Sequence, residues 1–418
     1  NQQFSGEFTL PLIKLGNSWR SNFDRSIFLQ TGTNSTSAFV NRPDGKLYIF
    51  TFTGSLYRPD SDITDTLQQT ANGWSYTRRD GSVELYDNQG RFLSEMDTNG
   101  KTTTLTYDAQ GRVTTITGAF GHSLTLGYDT KARLTTVTDP VGNTVTYEYS
   151  YTDRLTGVTH ADGKSRTYHY EHGQPFFLTG ITDESGNRYA TFDYYNGGRV
   201  ILTEHATTDN GSPQEKFSLD YNSNTSFVTD AVGTREILDF TVNLGVKNLT
   251  SKVNQGDGKS VQQTFDANNN LTCRKDEEGR VTTYTYNATN QKTSMTEGQI
   301  GNCASPAATS ATRTTTYQYI SPTLDLPTVI QSPSVAAGQN KNTAILYTDA
   351  AHPNLPTSIT QSGFTPTGTA VSRTVTMAYN AFGQVNQING PRTDVSDITA
   401  LEYYECTTGG GCGQLKRI

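Results

Sequence analysis

The sequence is short of both charge and apolar side chains: 17% of its 418 residues are charged and 33% are hydrophobic. Globular chains usually carry about a quarter charged residues and about 45–50% apolar ones, and the 38 glycines here do not close the gap. One large core is therefore excluded, while an aromatic content of 10% excludes a disordered chain. The net charge of −7 is spread without long runs of one sign, so neither nucleic acid nor an anionic membrane is expected as a partner. No stretch reaches the roughly 20 apolar residues of a spanning helix, and no membrane insertion is expected. Asn1 opens neither a start-codon product nor a signal peptide, and residues 415–418 read as the beginning of another strand. The chain is expected to be cut from something longer.

Thr, Ser, Asn and Gln fill the deficit. Thr and Tyr favour strands and Asn, Asp and Gly favour tight turns, so many short strands are expected and long helices are not.

The order of these residues is periodic. Tyr86, Tyr107, Tyr128, Tyr149 and Tyr170 lie 21 residues apart, and Asp87, Asp108 and Asp129 follow the first three. Gly100, Gly121, Gly142 and Gly163 keep the same step, as do Arg91, Arg112, Arg133 and Arg154. One unit, "LTYDAQGRVTTITGAFGHSLTLGYD" from Leu105, alternates Thr with apolar residues on either side of glycine-bearing turns, which spells one β-hairpin per repeat. Gly111, whose counterpart one repeat earlier is Gly90, and Gly121 stand where such turns need φ > 0. Leu105 and Tyr107 share one face and Thr104 and Thr106 the other, giving an apolar-aromatic face and a hydroxyl face. The fold class is all-β: an array of about 21-residue hairpins forming one long antiparallel sheet, which strand twist must curl into a spiral or open tube.

Three regions are expected. Residues 1–80 are β-rich without the period and read as a cap or lead-in; residues 81–295 carry the regular array; residues 296–418 carry degenerate repeats with insertions. The small, polar segment 296–313 and the segment 332–339 are expected to be loops thrown out of the sheet.

The unit "YDxxGRL" followed by "TDxxGxxxxYxY" resembles the YD repeat of the Rhs family, whose members include bacterial polymorphic toxins, the C component of Tc toxins and teneurins. The resemblance covers residues 80–295 well and 310–418 more loosely, and "ECTTGGGCGQL" from Glu405 is similar to a cysteine-bearing stretch of bacterial Rhs arrays. It implies a spiralling β-shell that encloses or presents a C-terminal effector of a secreted or cell-surface bacterial protein. Neither the self-cleaving core segment nor an effector is recognised here, so no catalytic residue is carried over. The expected partner is the remainder of its own polypeptide or a surface partner; the oligomeric state stays open.

Other chemistry is thinly represented. His169 and His172, an odd spacing apart, point to opposite faces of a strand, no four-ligand zinc set is assembled, and no metal or cofactor is expected. Turns at Asp97, Asp183 and Asn254 invite comparison with calcium loops, but Asp and Asn ordinarily cap their own turns. The repeated Arg is expected to pair with the Asp of the YD dipeptide. Cys406 and Cys412 flank a flexible "TTGGG" loop and make a candidate disulfide in an exported protein; Cys273 with Cys303 is a second candidate, which would pin segment 296–313. No His or Asn stands where it would activate a Cys, so the chain is read as a scaffold and not an enzyme. The alternative is a cell-surface module binding glycan or protein through its aromatic face; a propeller hydrolase lacks its blade signatures.

Overall fold

A 21-residue hairpin cannot bury its apolar face alone, and the chain meets this need by pairing every strand with the next. The computed structural model describes residues 13–32, 35–171, 176–195, 197–207, 213–406 and 411–418. Among these, 34 strands form one sheet, and Glu402–Tyr403 with Leu415–Arg417 form a separate pair. The path is an antiparallel meander: Thr102–Tyr107 pairs with Val113–Thr117, which pairs with Ser123–Tyr128, which pairs with Leu134–Thr138. No ladder among the described residues joins Ile398–Ala400 back to Ser26–Thr31, so the sheet is open. This is the all-β hairpin array expected from the period.

Local chemistry sets each turn. Asp108 Oδ1 accepts the N–H groups of Gln110 (3.0 Å) and Arg112 (2.9 Å), and Gly111 sits at φ 79°. Gly90, at φ 76°, is needed for space as well, because a Cβ there would lie 1.7 Å from the Ile27 carbonyl oxygen of the first strand.

Curvature has a repeated cause. Val113 faces Tyr107 but Thr115 faces Thr106, which leaves Thr114 as an extra residue in its strand. The same bulge recurs at Tyr86, Tyr128, Tyr149 and Phe265. A bulge bends and over-twists its strand, so one bulge per repeat in constant register adds to the ordinary twist and curls the ribbon steadily.

The two faces differ as the alternation requires. Leu105, Ile116, Leu126 and Leu134 are buried on the inner face, while Thr106 bonds the hydroxyl of Thr115 on the outer one. The main core lies at the N-terminal end. Strands from Ser26–Thr31 onward join the same sheet directly, and the segment before them packs against its inner face. Leu134 N–H donates to the Lys14 carbonyl and Asn17 N–H to the Asp153 carbonyl, both at 2.9 Å, and Trp19 Nε1 donates to the Tyr170 hydroxyl at 2.9 Å. The accessible surface of 23947 Å² is about half as much again as the roughly 16,000 Å² of a compact chain this size. The sheet is therefore wet over much of both faces.

One expectation is corrected. Segment 296–313 is not a loop: Lys292–Asn302 runs as one long strand, turns, and pairs with Ser305–Ala307, after which Arg313–Ser321 rejoins the sheet. Small polar residues carry no alternation, but backbone pairing needs none, and the Cys273–Cys303 disulfide holds the tip down.

Candidate functional site

The repeated residues form a lattice in which each unit grips the next. Arg91 Nε donates to Asp87 Oδ2 at 2.7 Å, and Arg112 and Arg133 hold Asp108 and Asp129 in the same way, both at 2.7 Å. The Arg112 backbone N–H is the main cause that holds the Asp108 carboxyl below its ordinary range, with the guanidinium adding to it. Each guanidinium then lies over the tyrosine of the following repeat: Arg91 over Tyr107 (5.1 Å), Arg112 over Tyr128 (5.3 Å), Arg133 over Tyr149 (4.8 Å) and Arg154 over Tyr170 (5.3 Å). The tyrosine hydroxyls donate back to the previous unit, Tyr107 to the Phe92 carbonyl, Tyr128 to Val113 (2.8 Å) and Tyr149 to Leu134 (2.7 Å). These carbonyls sit at the bulges, where neighbouring strands part and ladder bonds stop. Burial raises the Tyr107, Tyr128 and Tyr149 hydroxyl pKa values above the usual phenol range, so they remain donors. The pattern persists in the irregular region, with Tyr319 on Lys292, Tyr379 on Pro356 and Tyr403 on Val385.

Tyr86, the first of the series, does something else. Its hydroxyl donates to Glu84, a fully buried carboxylate that also takes Arg42 Nη1 (2.7 Å), Arg42 Nη2 (2.8 Å), Arg25 Nη1 (2.8 Å) and Arg78. Glu95 shares Arg25 (2.9 Å) and Arg78. Burial opposes the Glu84 charge, but the hydrogen bonds and charges of Arg42 and Arg25 outweigh it and hold the carboxyl at about 2. Arg42 lies over Tyr76 (4.6 Å) and Arg25 over Phe92 (4.8 Å), so the cluster ties the lead-in strands to the first hairpins. Sequence reasoning missed these residues. The signal was present: Glu84 is two residues from Tyr86 and must share its inward face.

Successive turns of the spiral meet along a polar seam. Asn269 Nδ2 donates to Asp62 Oδ2 (2.7 Å), Asn290 Nδ2 to the Ser61 carbonyl (2.7 Å), and Arg79 Nε pairs with Asp325 Oδ1 (2.8 Å). Further along, the rings of Phe120 and Phe382 lie 5.4 Å apart. Nineteen strands separate Asp62 from Asn269, so at about 4.8 Å per strand one turn measures about 90 Å round and about 15 Å in mean radius. Asn269 and Asn290 hold the left-handed turn position, at φ 60° and 64°, that glycine fills in regular repeats. Asp153 does so at 60° and receives Arg133 at 2.8 Å and Lys14 at 3.8 Å. At these three docking turns a polar side chain stands in the glycine position.

The Rhs repeat family model matches residues 86–123, 128–165 and 265–299. These three stretches carry the Rhs repeat. Among solved structures it is similar to the TcdB2–TccC3 complex, at 12% identity over 88% of this chain with a TM-score of 0.49. It is also similar to the Tc holotoxin pore of Photorhabdus luminescens, at 12% identity over 88% of this chain with a TM-score of 0.48. The chain spans 22% of the length of each. No curated protein matches it.

Within this Rhs array the cysteines form two disulfides, Cys273–Cys303 with Cα atoms 5.6 Å apart and Cys406–Cys412 at 4.4 Å; residues 407–410 between the latter pair lie outside the described ones. Cys273 stands opposite Thr283, whose hydroxyl donates to Gln299 at 3.0 Å, so the 297–312 hairpin lies against the outer face. His169 Nε2 lies 2.8 Å from the Thr182 hydroxyl, and His172 is outside the described residues. Asp97 and Asp183 each accept two backbone N–H groups of their own turns, and Asn254 accepts one. No group of three or more His, Cys, Asp or Glu side chains that could hold a metal occurs among the described residues.

Proposed function

We propose that the chain is a non-catalytic wall segment of a YD-repeat shell, which in a large exported bacterial Rhs-type protein encloses or presents an effector domain. The observation that supports this most is the seam. A wall one sheet thick resists bending only if adjacent turns are fastened, and Asn269, Asn290 and Arg79 fasten them across more than 200 residues of chain. In this reading residues 1–80 close the start of the spiral, 81–295 form the regular wall and 296–418 a wall with outer insertions. The partner is the rest of the same polypeptide, and the location is outside the bacterial cell or at its surface.

Small-angle scattering tests it. The expected radius of gyration exceeds the roughly 22 Å of a compact chain of this length, with the profile of a curved, hollow body. The triple variant Asn269→Gly, Asn290→Gly, Arg79→Ala should enlarge the maximum dimension while circular dichroism keeps its strand signal. A compact radius that the triple variant leaves unchanged would sink the proposal. A binding role is favoured by one separate feature, a cationic cleft at the hairpin ends near Lys341.

A further inference from the structure

Arg313, Lys341 and Arg373 line one open cleft of about 620 Å³ at the hairpin ends around residues 332–341 and 361–373. In a chain of net charge −7 this is an unusual place for three exposed cations, and no carboxylate lines the cleft. Elsewhere Arg91, Arg112, Arg133 and Arg280 are each held by an Asp, whereas these three have no ion-pair partner among the described residues. The nearest acid in register is Glu297, opposite Arg313 and outside the cleft lining.

Register defines the layout. Ser332 faces Lys341, Thr343 faces Gln361 and Gln361 faces Arg373. Directly opposed residues share a face, so Lys341, Gln361 and Arg373 stand together on the inner face, which also carries the tyrosines. Gly363 lies between Lys341 and Val371; a Cβ there would meet Lys341 Cβ at 3.7 Å, and its absence leaves the floor open. Lys341 is two strands and two residues from Arg373, about 12 Å between Cα atoms, and Arg313 is offset from Lys341 by the same step on the other side.

We propose that this cleft binds an acidic oligosaccharide. The cations run in a line with Arg313 and Arg373 four strands apart, so one carboxylate or phosphate cannot engage all three, and the ligand is an extended chain bearing charges at intervals. Ser332 and Gln361, on the same face as the cations, supply partners for sugar hydroxyls, and Val371 opposite Gly363 offers an apolar surface for a ring face. An acidic peptide would match the charge but binds sheets by adding to a free edge, and these strands are paired on both sides. The inference is independent of the shell proposal.

Calorimetric titration of the full chain with oligogalacturonate tests it, against neutral malto-oligosaccharide, polyglutamate and inorganic phosphate. Binding of oligogalacturonate is expected, weaker as salt rises, with no binding of the neutral sugar. Lys341→Glu with Arg373→Glu should weaken it at least about tenfold. Gly363→Gln, which fills the floor without changing charge, should do the same, and Lys164→Glu, on a distant turn, should not. The proposal is overturned by absence of binding, by equal binding of polyglutamate or phosphate, or by unchanged affinity in the double variant. Should that variant not fold, Gly363→Gln decides alone.

Discussion

Replacing Glu84 with Gln keeps the shape of the side chain but removes the one charge on which Arg25, Arg42 and Arg78 converge. Glu84 is fully buried and Arg25 and Arg42 are buried with it, so these two cannot turn to water without opening the sheet. Breaking a buried ion cluster from one side costs about 3–5 kcal/mol, because uncompensated charge remains inside. The pH dependence gives a second handle. A carboxyl held at about 2 in the folded chain instead of its ordinary 4.5 binds its proton less readily folded than unfolded. Its stabilisation is therefore complete above about pH 4.5 and is lost as pH falls toward 2, amounting to about 3 kcal/mol. Trp19 and Trp74, the only 2 tryptophans, both lie in this first part of the chain, so urea unfolding followed by their fluorescence reports on the cluster's own region, as suits a repeat array that need not unfold as one unit. At pH 7 Glu84→Gln should lose about 3–5 kcal/mol against the parent, and the gap should narrow at pH 3. A loss below about 1 kcal/mol at pH 7, or a gap that stays constant with pH, refutes the assignment of Glu84 as the ionised centre.

Ala132 occupies the left-handed turn position at φ 59°, and Ala132→Gly should stabilise its hairpin by about 0.5–1 kcal/mol, seen as slower amide exchange in Ser123–Tyr128 and Leu134–Thr138. Tyr128→Phe should cost about 1 kcal/mol through the lost bond to Val113, with faster exchange confined to the adjoining hairpins if the lattice couples nearest neighbours. Cys273→Ser with Cys303→Ser should release the 297–312 hairpin, which the disulfide closes over a separation of 30 residues, at a cost of about 3–4 kcal/mol. Exchange mass spectrometry should then show deprotection there and not in Val281–Tyr286.

The turn chemistry, the hairpin period and the division into aromatic and hydroxyl faces are all readable from the sequence. Each is decided within one repeat, by an Asp that caps its own turn, a Gly at φ > 0 and a period-two alternation. The pairing of Arg112 with Asp108 is equally local. Local rules also predict curl, although its steady amount depends on a bulge at each Tyr that no residue type announces. The Glu84 cluster lay half in view, since its face follows from Tyr86, but Arg25 and Arg42 come from 59 and 42 residues away. The 296–313 segment misled because its residues carry no pattern and its strand character comes from a neighbouring backbone and a disulfide. The seam was not legible at all: whether Asn269 is an unusual turn residue or a fastening depends on Asp62, 207 residues earlier. What a hairpin does follows from interactions a few residues apart, whereas what meets it on the next turn of the spiral is set by the summed twist of nineteen strands, and only the folded sheet performs that sum.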